Sequence, residues 1–170
     1  QCSHKLNNTT ITNCIFAISD FELTKKEVLN WTKQFGTFCF LDNHQYQIKP
    51  HAFECILAAG VKRSISLNAG TALEQLQNFI NEKHSWLFGH LGYDLKNEIE
   101  SISTSPKIDF IEQPIIHFFV PKFIIKIENN VVEIGITQPN HLEDFHQLIK
   151  KIIVYPSSYI PSKNEIKHRI

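Results

Sequence analysis

The sequence predicts an α+β fold with a mixed or antiparallel sheet and flanking helices. Short β-branched and aromatic runs alternate along the 170 residues with segments of helical periodicity. Two apolar runs, 122–128 and 131–136, surround Asn129-Asn130 and indicate a hairpin, because Asn tolerates the positive φ of a two-residue turn. A hairpin is antiparallel, so we expect α+β and not a doubly wound parallel sheet.

Each element follows from a local pattern. Residues 11–18 are β-branched and aromatic enough for a strand. Thr24 and Glu27 have the spacing of a capping box, which predicts a helix from there to Gly36. The remaining predicted strands cover residues 37–41, 53–59, 61–67 and 86–93, and the remaining helices cover 71–83, 94–100 and 140–152. Gly89 and Gly92 in one of these strands predict a bulge or a second backbone passing close.

Composition excludes several functional classes. The 17 basic and 17 acidic residues balance, which argues against general electrostatic binding to nucleic acid or to an anionic membrane. No apolar run reaches the roughly 18–20 residues of a membrane helix, and the first residues lack a signal-peptide core. We therefore expect a cytoplasmic globular protein. The absence of methionine predicts a fragment, or a sequence from which methionines have been omitted.

Metal and nucleophilic motifs are not found. The four cysteines form no CxxC pair, and we interpret them as free thiols, with a secreted disulfide protein as the alternative. His84 and His90 would lie about 20 Å apart along a strand, too far for one metal. Cys55 with a distant histidine is a conceivable nucleophilic pair without local support. No catalytic residue and no metal ligand is predicted in this chain.

The strand-to-helix junction after residue 91 is more specific. Gly92 permits tight backbone packing, and Tyr93 can anchor the strand end through its hydroxyl. Asp94 suits the first turn of the next helix, where a carboxylate meets free N–H groups. Glu100 can reach back to the same place. We interpret these residues as a structural junction.

The order of these motifs resembles a known family. The chain looks like the N-terminal region of chorismate-using synthases. The motifs that carry this resemblance are, in order, Gly92-Tyr93-Asp94-Leu95 with Glu100, a Pro-containing loop, the run 117–123 and the hairpin. These synthases are anthranilate synthase component I and aminodeoxychorismate synthase component I. The runs 40–43 and 53–59 match the family's strand–loop–strand. The resemblance covers roughly residues 11–137 and favours the aminodeoxychorismate branch, because the Leu-Leu-Glu-Ser feedback motif of the anthranilate branch is not matched.

The resemblance implies different roles for this chain and for an absent C-terminal half. Residues 1–154 would be the N-terminal domain, whose sheet forms part of a sandwich shared with a C-terminal half, and residues 155–170 would be the connector. That absent half would hold the catalytic residues, chorismate and Mg²⁺, and would cover apolar sheet surface. The whole transferase would aminate chorismate to 4-amino-4-deoxychorismate for para-aminobenzoate and folate, with ammonia from a glutamine amidotransferase subunit.

The family also implies a small-ligand pocket, which binds tryptophan in many members. Its positions correspond here to Asn43, Pro50, His51 and Phe53, of which Phe53 alone keeps the family's residue type. Asn43 could hydrogen-bond an ammonium or carboxylate, and Phe53 could stack on an indole. Two other hypotheses stay open: anthranilate synthase component I, and a free-standing amino-acid-binding module.

Overall fold

The computed structural model describes residues 12–46, 53–68, 70–82, 85–100, 113–128 and 130–137, with Glu143, Gln147 and Lys150. The strands are β1 (Thr12–Ala17), β2 (Phe38–Asp42), β3 (Cys55–Leu67), β4 (Phe88–Leu91), β5 (Ile116–Glu128) and β6 (Val131–Ile136). The helices are α1 (Phe21–Trp31), α2 (Ala72–Glu82) and α3 (Lys96–Glu100), with short 3₁₀ turns at Thr32–Gln34 and Tyr93–Leu95.

The six strands form one antiparallel sheet, which confirms the α+β prediction at this level. The strand order is β1-β6-β5-β3-β2, and β4 also pairs with β5. The strands predicted at 53–59 and 61–67 are in fact one strand of 13 residues. Gly60 lies within it at φ 69°, a left-handed conformation that suits glycine, so the strand continues where the sequence indicated a break.

The chain divides into two compact units, residues 1–60 with 121–170, and residues 61–120. In the first unit, α1 packs against one face of the sheet and buries Val28 and Trp31. The sheet side of this core comes from alternate residues of three strands: Cys55, Leu57, Ala59, Phe123, Ile125, Ile127, Val132, Ile134 and Ile136. The period of two follows from the pleat of each strand.

The start of α1 differs from the prediction. The N-cap is Asp20, whose carboxylate accepts a hydrogen bond from the Leu23 N–H at 2.9 Å. Thr24 lies inside the helix, buried, and donates its hydroxyl to the Asp20 carbonyl at 2.7 Å. The Thr24–Glu27 capping box is therefore wrong, because a better cap four residues earlier extends the helix.

Both faces of the central strands are buried in this unit. On the face opposite α1, Ile56, Ala58 and Ile124 are almost inaccessible to solvent. Exposed apolar side chains of the sheet lie instead at its edges, including Phe38 and Leu41 of β2, which are 47% and 55% exposed. The resemblance implies an apolar sheet surface that an absent C-terminal half would cover. At the centre of the sheet, such a surface is not exposed to solvent.

The predicted hairpin is confirmed. Glu128 pairs with Val131 at the end of the antiparallel ladder between β5 and β6, which leaves a two-residue connection. Asn130 has φ 61°, as a turn of this kind requires, and its carbonyl accepts from the Ile18 N–H at 2.8 Å. Asn129 lies outside the described residues.

The second unit contains α2, β4 and α3 around a small core of Ala72, Leu95 and Ile116. The helix predicted over 71–83 is confirmed as α2, and Thr71 accepts hydrogen bonds from Gln75 at its start. The predicted strand 86–93 is shorter, only Phe88–Leu91. The predicted helix 94–100 begins as the 3₁₀ turn.

Two further predictions concern the C-terminal part of the chain. Of the helix expected over 140–152, the structure describes Glu143, Gln147 and Lys150, all helical and exposed. The proposed connector 155–170 lies outside the described residues.

Among the described residues, no helix has the length and apolar character needed to cross a membrane.

Candidate functional site

The loop that follows β2 is held together by Asn43 and Glu54. The Asn43 backbone N–H donates to the Glu54 carbonyl at 2.8 Å, and its Nδ2 donates to the Tyr46 carbonyl at 2.9 Å and to Glu54 Oε2 at 3.1 Å. The Gln45 N–H donates to Glu54 Oε1 at 2.5 Å. Positive φ values at His44 and Gln45, 52° and 58°, give the loop its tight left-handed turn.

The two predicted pocket residues that the structure describes, Asn43 and Phe53, have contacts within the protein. Both side-chain N–H groups of Asn43 are used in the loop, and its Oδ1 is the group left for a ligand. Phe53 is half-buried, and the ammonium of Lys126 lies 5.0 Å from its ring centroid. Pro50 and His51 lie outside the described residues. The hydrogen bonds of Asn43 therefore tie the turn at residues 43–46 to Glu54.

An open cleft of about 330 Å³ lies beside this loop, between α1 and β2. Its walls combine two charge signs with apolar surface. The lining residues are Glu22, Lys25, Lys26 and Leu29 of α1, Phe40 and Asp42 of β2, and His44 and Gln45 of the loop. Neither Asn43 nor Phe53, the two predicted pocket positions that the structure describes, is among its lining residues.

The cleft is dominated by one ion pair. Lys25 Nζ lies 2.5 Å from Asp42 Oδ2, and the two side chains are 11% and 9% exposed. The exposed Glu22 is a weaker second partner of Lys25, at 3.5 Å. Asp42 Oδ1 also accepts from the His44 N–H at 3.0 Å. Two charges so close neutralise each other, and the pair fixes the helix to the strand.

The pair shifts both acid–base equilibria in the direction that keeps it charged. Burial lowers the pKa of Lys25, but the hydrogen bonds and charges of Asp42 and Glu22 together outweigh burial and raise that pKa above 10.5. Burial raises the pKa of Asp42, but hydrogen bonds from Lys25 and the His44 N–H, with the charge of Lys25, bring that pKa below 3.8.

Cys55 is not a nucleophile in this fold. Its thiol is buried under α1, and burial, with the Asp42 carboxylate as the next cause, raises its pKa to about 12. A thiol of this kind carries almost no thiolate at neutral pH. Burial also raises the pKa of the half-buried Cys39. Both cysteines are free, as the sequence predicted for them.

In the second unit, the predicted junction has a close backbone contact at Gly92, Asp94 lies in the first turn as predicted, and Tyr93 is placed differently from the prediction. The Gly92 N–H donates to the Ile115 carbonyl at 2.6 Å, and an added Cβ would lie 3.1 Å from that oxygen. Tyr93 is 80% exposed, so its hydroxyl does not anchor the strand end. The Lys96 ammonium lies 4.2 Å from the centroid of its ring. Asp94 is exposed within the 3₁₀ turn, and Glu100 is exposed at the end of α3.

A histidine pair that the sequence reasoning missed lies on the neighbouring strands. His90 of β4 pairs directly with His117 of β5, and their ring centroids are 6.1 Å apart. His117 Nδ1 lies 2.7 Å from the Ser66 hydroxyl. The two histidines are 27 positions apart in the sequence, and only the register of the two strands would reveal that they are neighbours. Within the part of the chain that the structure describes, no group of three or more His, Cys, Asp or Glu is arranged for a metal.

Comparisons with known proteins add no relative. Neither the protein-family models, nor the curated proteins, nor the solved structures give a match to this chain.

Proposed function

We propose that this chain is the N-terminal scaffold portion of an aminodeoxychorismate synthase component I. The whole enzyme would replace the 4-hydroxyl of chorismate with ammonia supplied by a glutamine amidotransferase subunit, and Mg²⁺ and chorismate would bind in the C-terminal half. The role of this chain would be to position that half. No catalytic residue is assigned within it.

One observation carries the proposal: motif segments far apart in sequence are neighbours in the sheet. Gly92 and Tyr93 directly follow β4, and β4 pairs with the start of the 117–123 run through Gly89 and Phe118. Motif parts that pair in one sheet in this way are suited to a structural role in the fold. The antiparallel α+β architecture agrees with the fold that the resemblance implies.

The chemistry of the described residues also suits a scaffold better than a catalyst. The buried Cys55 thiol is not reactive, and Lys25 and Asp42 neutralise each other. One surface that the described residues offer to a partner is the edge strand β2, with exposed Phe38 and Leu41. Edge strands in stable proteins are usually covered, charged or interrupted, so this strand is where we expect the C-terminal half to dock.

The decisive assay uses the protein made from the full reading frame that contains this chain. Incubated with chorismate, ammonium and Mg²⁺, it should form 4-amino-4-deoxychorismate, which yields para-aminobenzoate only after a lyase is added. Anthranilate formed without a lyase would assign the chain to the anthranilate branch instead. A protein that leaves chorismate unchanged in this assay would overturn both assignments.

The scaffold role has its own test in the same full-length protein. Leu41→Asp places a charge on the edge of β2 and should lower the rate of chorismate amination if the catalytic half docks there. Leu23→Asp is the matched control, because Leu23 is similarly exposed but lies on α1. Equal rates for both variants would remove β2 as the docking edge.

The cleft beside Asp42 favours a second candidate, a free-standing amino-acid-binding module. Exposed Lys26 and Glu22 at its walls could meet the carboxylate and ammonium of an amino acid, and Phe40 offers apolar contact. Calorimetric titration of the 170-residue chain with tryptophan tests this reading. Saturable binding that Phe40→Ala weakens would support the module, and absence of heat up to millimolar tryptophan would exclude tryptophan as its ligand.

A further inference from the structure

Three adjacent strands of the second unit carry a row of polar side chains. The row consists of Ser66 on β3, His117 on β5 and His90 on β4. His90 and His117 are direct partners in the antiparallel ladder, so their side chains leave the same face of the sheet. Their rings are 6.1 Å apart at an interplanar angle of 32°. His90 is exposed and His117 half-buried, so the row is accessible from solvent.

Hydrogen bonds indicate which ring nitrogens are available. His90 Nε2 lies 3.1 Å from the Pro114 carbonyl oxygen, which can only accept, so Nε2 carries the hydrogen. In the neutral ring, His90 Nδ1 then holds a lone pair. His117 Nδ1 is engaged with the Ser66 hydroxyl at 2.7 Å, and when that hydroxyl accepts, His117 Nε2 holds the lone pair.

The geometry of the row is close to that of metal-binding histidines. An imidazole nitrogen binds zinc at about 2.0–2.1 Å in tetrahedral geometry, so two rings on one ion have centroids about 5 Å apart. The observed 6.1 Å is about 1 Å longer, a difference that a small rotation of the exposed His90 ring would remove. Metal-binding histidines almost always have their second nitrogen hydrogen-bonded to a carbonyl, carboxylate or water, which sets the tautomer and the ring orientation. Pro114 and Ser66 already provide such partners.

We propose that His90 and His117 bind a divalent transition-metal ion, Zn²⁺, Ni²⁺ or Cu²⁺, through His90 Nδ1 and His117 Nε2. Imidazole nitrogen suits these ions better than Mg²⁺ or Ca²⁺. The two histidines are the ligands that the described residues supply, and water or an external ligand completes the coordination sphere. Such a site exchanges its metal and leaves positions open. It is independent of the chorismate proposal, which places Mg²⁺ elsewhere.

The test uses the 170-residue chain without a histidine tag. In an NMR titration with substoichiometric Cu²⁺, the ring signals of His90 and His117 should broaden before those of the other seven histidines. In calorimetry with Zn²⁺, His90→Gln and His117→Gln should each lose the tightest site. Ser66→Ala should weaken that site about tenfold, because it removes the partner that orients His117.

His44→Gln is the matched control, since His44 is exposed in the other unit and should leave the site unchanged. Circular dichroism establishes that each variant is folded. The Cu²⁺ titration of the unmodified chain keeps the proposal testable if a variant does not fold. Broadening that begins at other histidines, or Zn²⁺ binding that both histidine variants retain, would overturn the proposal.

Discussion

The ammonium of Lys25 lies 2.5 Å from a carboxylate oxygen of Asp42, and this contact joins α1 to the last residue of β2. Both side chains are almost covered, yet they lie close to the surface at the wall of the open cleft. The pair is therefore intermediate between an exposed ion pair, which contributes little, and a deeply buried one, whose disruption is costly.

Asp42→Asn should destabilise the protein by about 1–3 kcal/mol, because it leaves the covered Lys25 ammonium without its main counter-charge. Urea unfolding of the wild type and the variant measures the difference. Glu22→Gln is the control, since Glu22 contacts the same ammonium at 3.5 Å but is exposed; its loss should stay within about 0.5 kcal/mol. Equal losses in the two variants would contradict the dominance of Asp42.

The same pair should make stability depend on pH at both extremes. The lowered pKa of Asp42 contributes stability that is present above pH 3.8 and is lost as the pH falls through the folded-state value. The raised pKa of Lys25 contributes stability that is present below pH 10.5 and is lost as the pH rises through the folded-state value.

Unfolding free energies of the wild type and of Lys25→Met should therefore differ by a constant amount between about pH 5 and pH 9. The difference should shrink below about pH 4 and above about pH 10.5. Urea titrations across this range measure it, and taking the difference cancels the titration of unrelated groups. A difference that persists undiminished to pH 2 would show that the pairing is not electrostatic.

Gly89→Ala should be strongly destabilising. A Cβ at this position would overlap the His117 carbonyl oxygen and lie 2.7 Å from Phe118 Cα, and backbone atoms in a ladder cannot move away. We expect a loss of about 3 kcal/mol or more. Thermal or urea unfolding measures the effect. Gly36→Ala is the control, because a Cβ there meets nothing within 4 Å, and it should be nearly neutral.

Cys55 should be inert to thiol reagents in the folded protein. Its pKa of about 12 and its burial leave neither thiolate nor access, whereas Cys39 is half-buried. In variants that keep one cysteine each, Ellman's reagent at pH 8 should label Cys39 markedly faster than Cys55. Both should react at once in urea. Equal native rates would indicate that the core under α1 opens readily.

Asp20→Ala should cost about 1 kcal/mol, because it removes the side chain that caps α1. Glu27→Ala should be close to neutral, since the capping box in which the sequence placed Glu27 is not formed. Comparison of the two unfolding free energies decides which residue begins the helix. A larger loss of unfolding free energy for Glu27→Ala than for Asp20→Ala would support the Thr24–Glu27 capping box instead.

Local patterns predicted most of the elements. The hairpin around Asn130 and helix α2 depend on turn chemistry and on periodicity within a dozen residues, and both are confirmed. The errors have local causes too. A capping motif at Thr24 competes with a better cap at Asp20, and Gly60 resembles a strand break although its positive φ lets β3 continue.

The candidate sites were less predictable, because each depends on contacts that form only in the folded chain. His90 and His117 become neighbours through the antiparallel pairing of β4 and β5, and Lys25 meets Asp42 only once α1 lies on the sheet. Asn43 was expected in a ligand pocket, and its hydrogen bonds to Tyr46 and Glu54 are visible only when the loop is closed.

What the sequence by itself determined is the type of most elements and the approximate extent of some, since backbone preference, capping and apolar periodicity act over a few residues. The tertiary structure decided which side chains meet: the ion pair of Lys25, the clearance at Gly89 and the histidine pair. These contacts join positions that are 17 to 28 residues apart, and loop closure brings such positions together only when a shared core holds both strands or a strand and a helix in place.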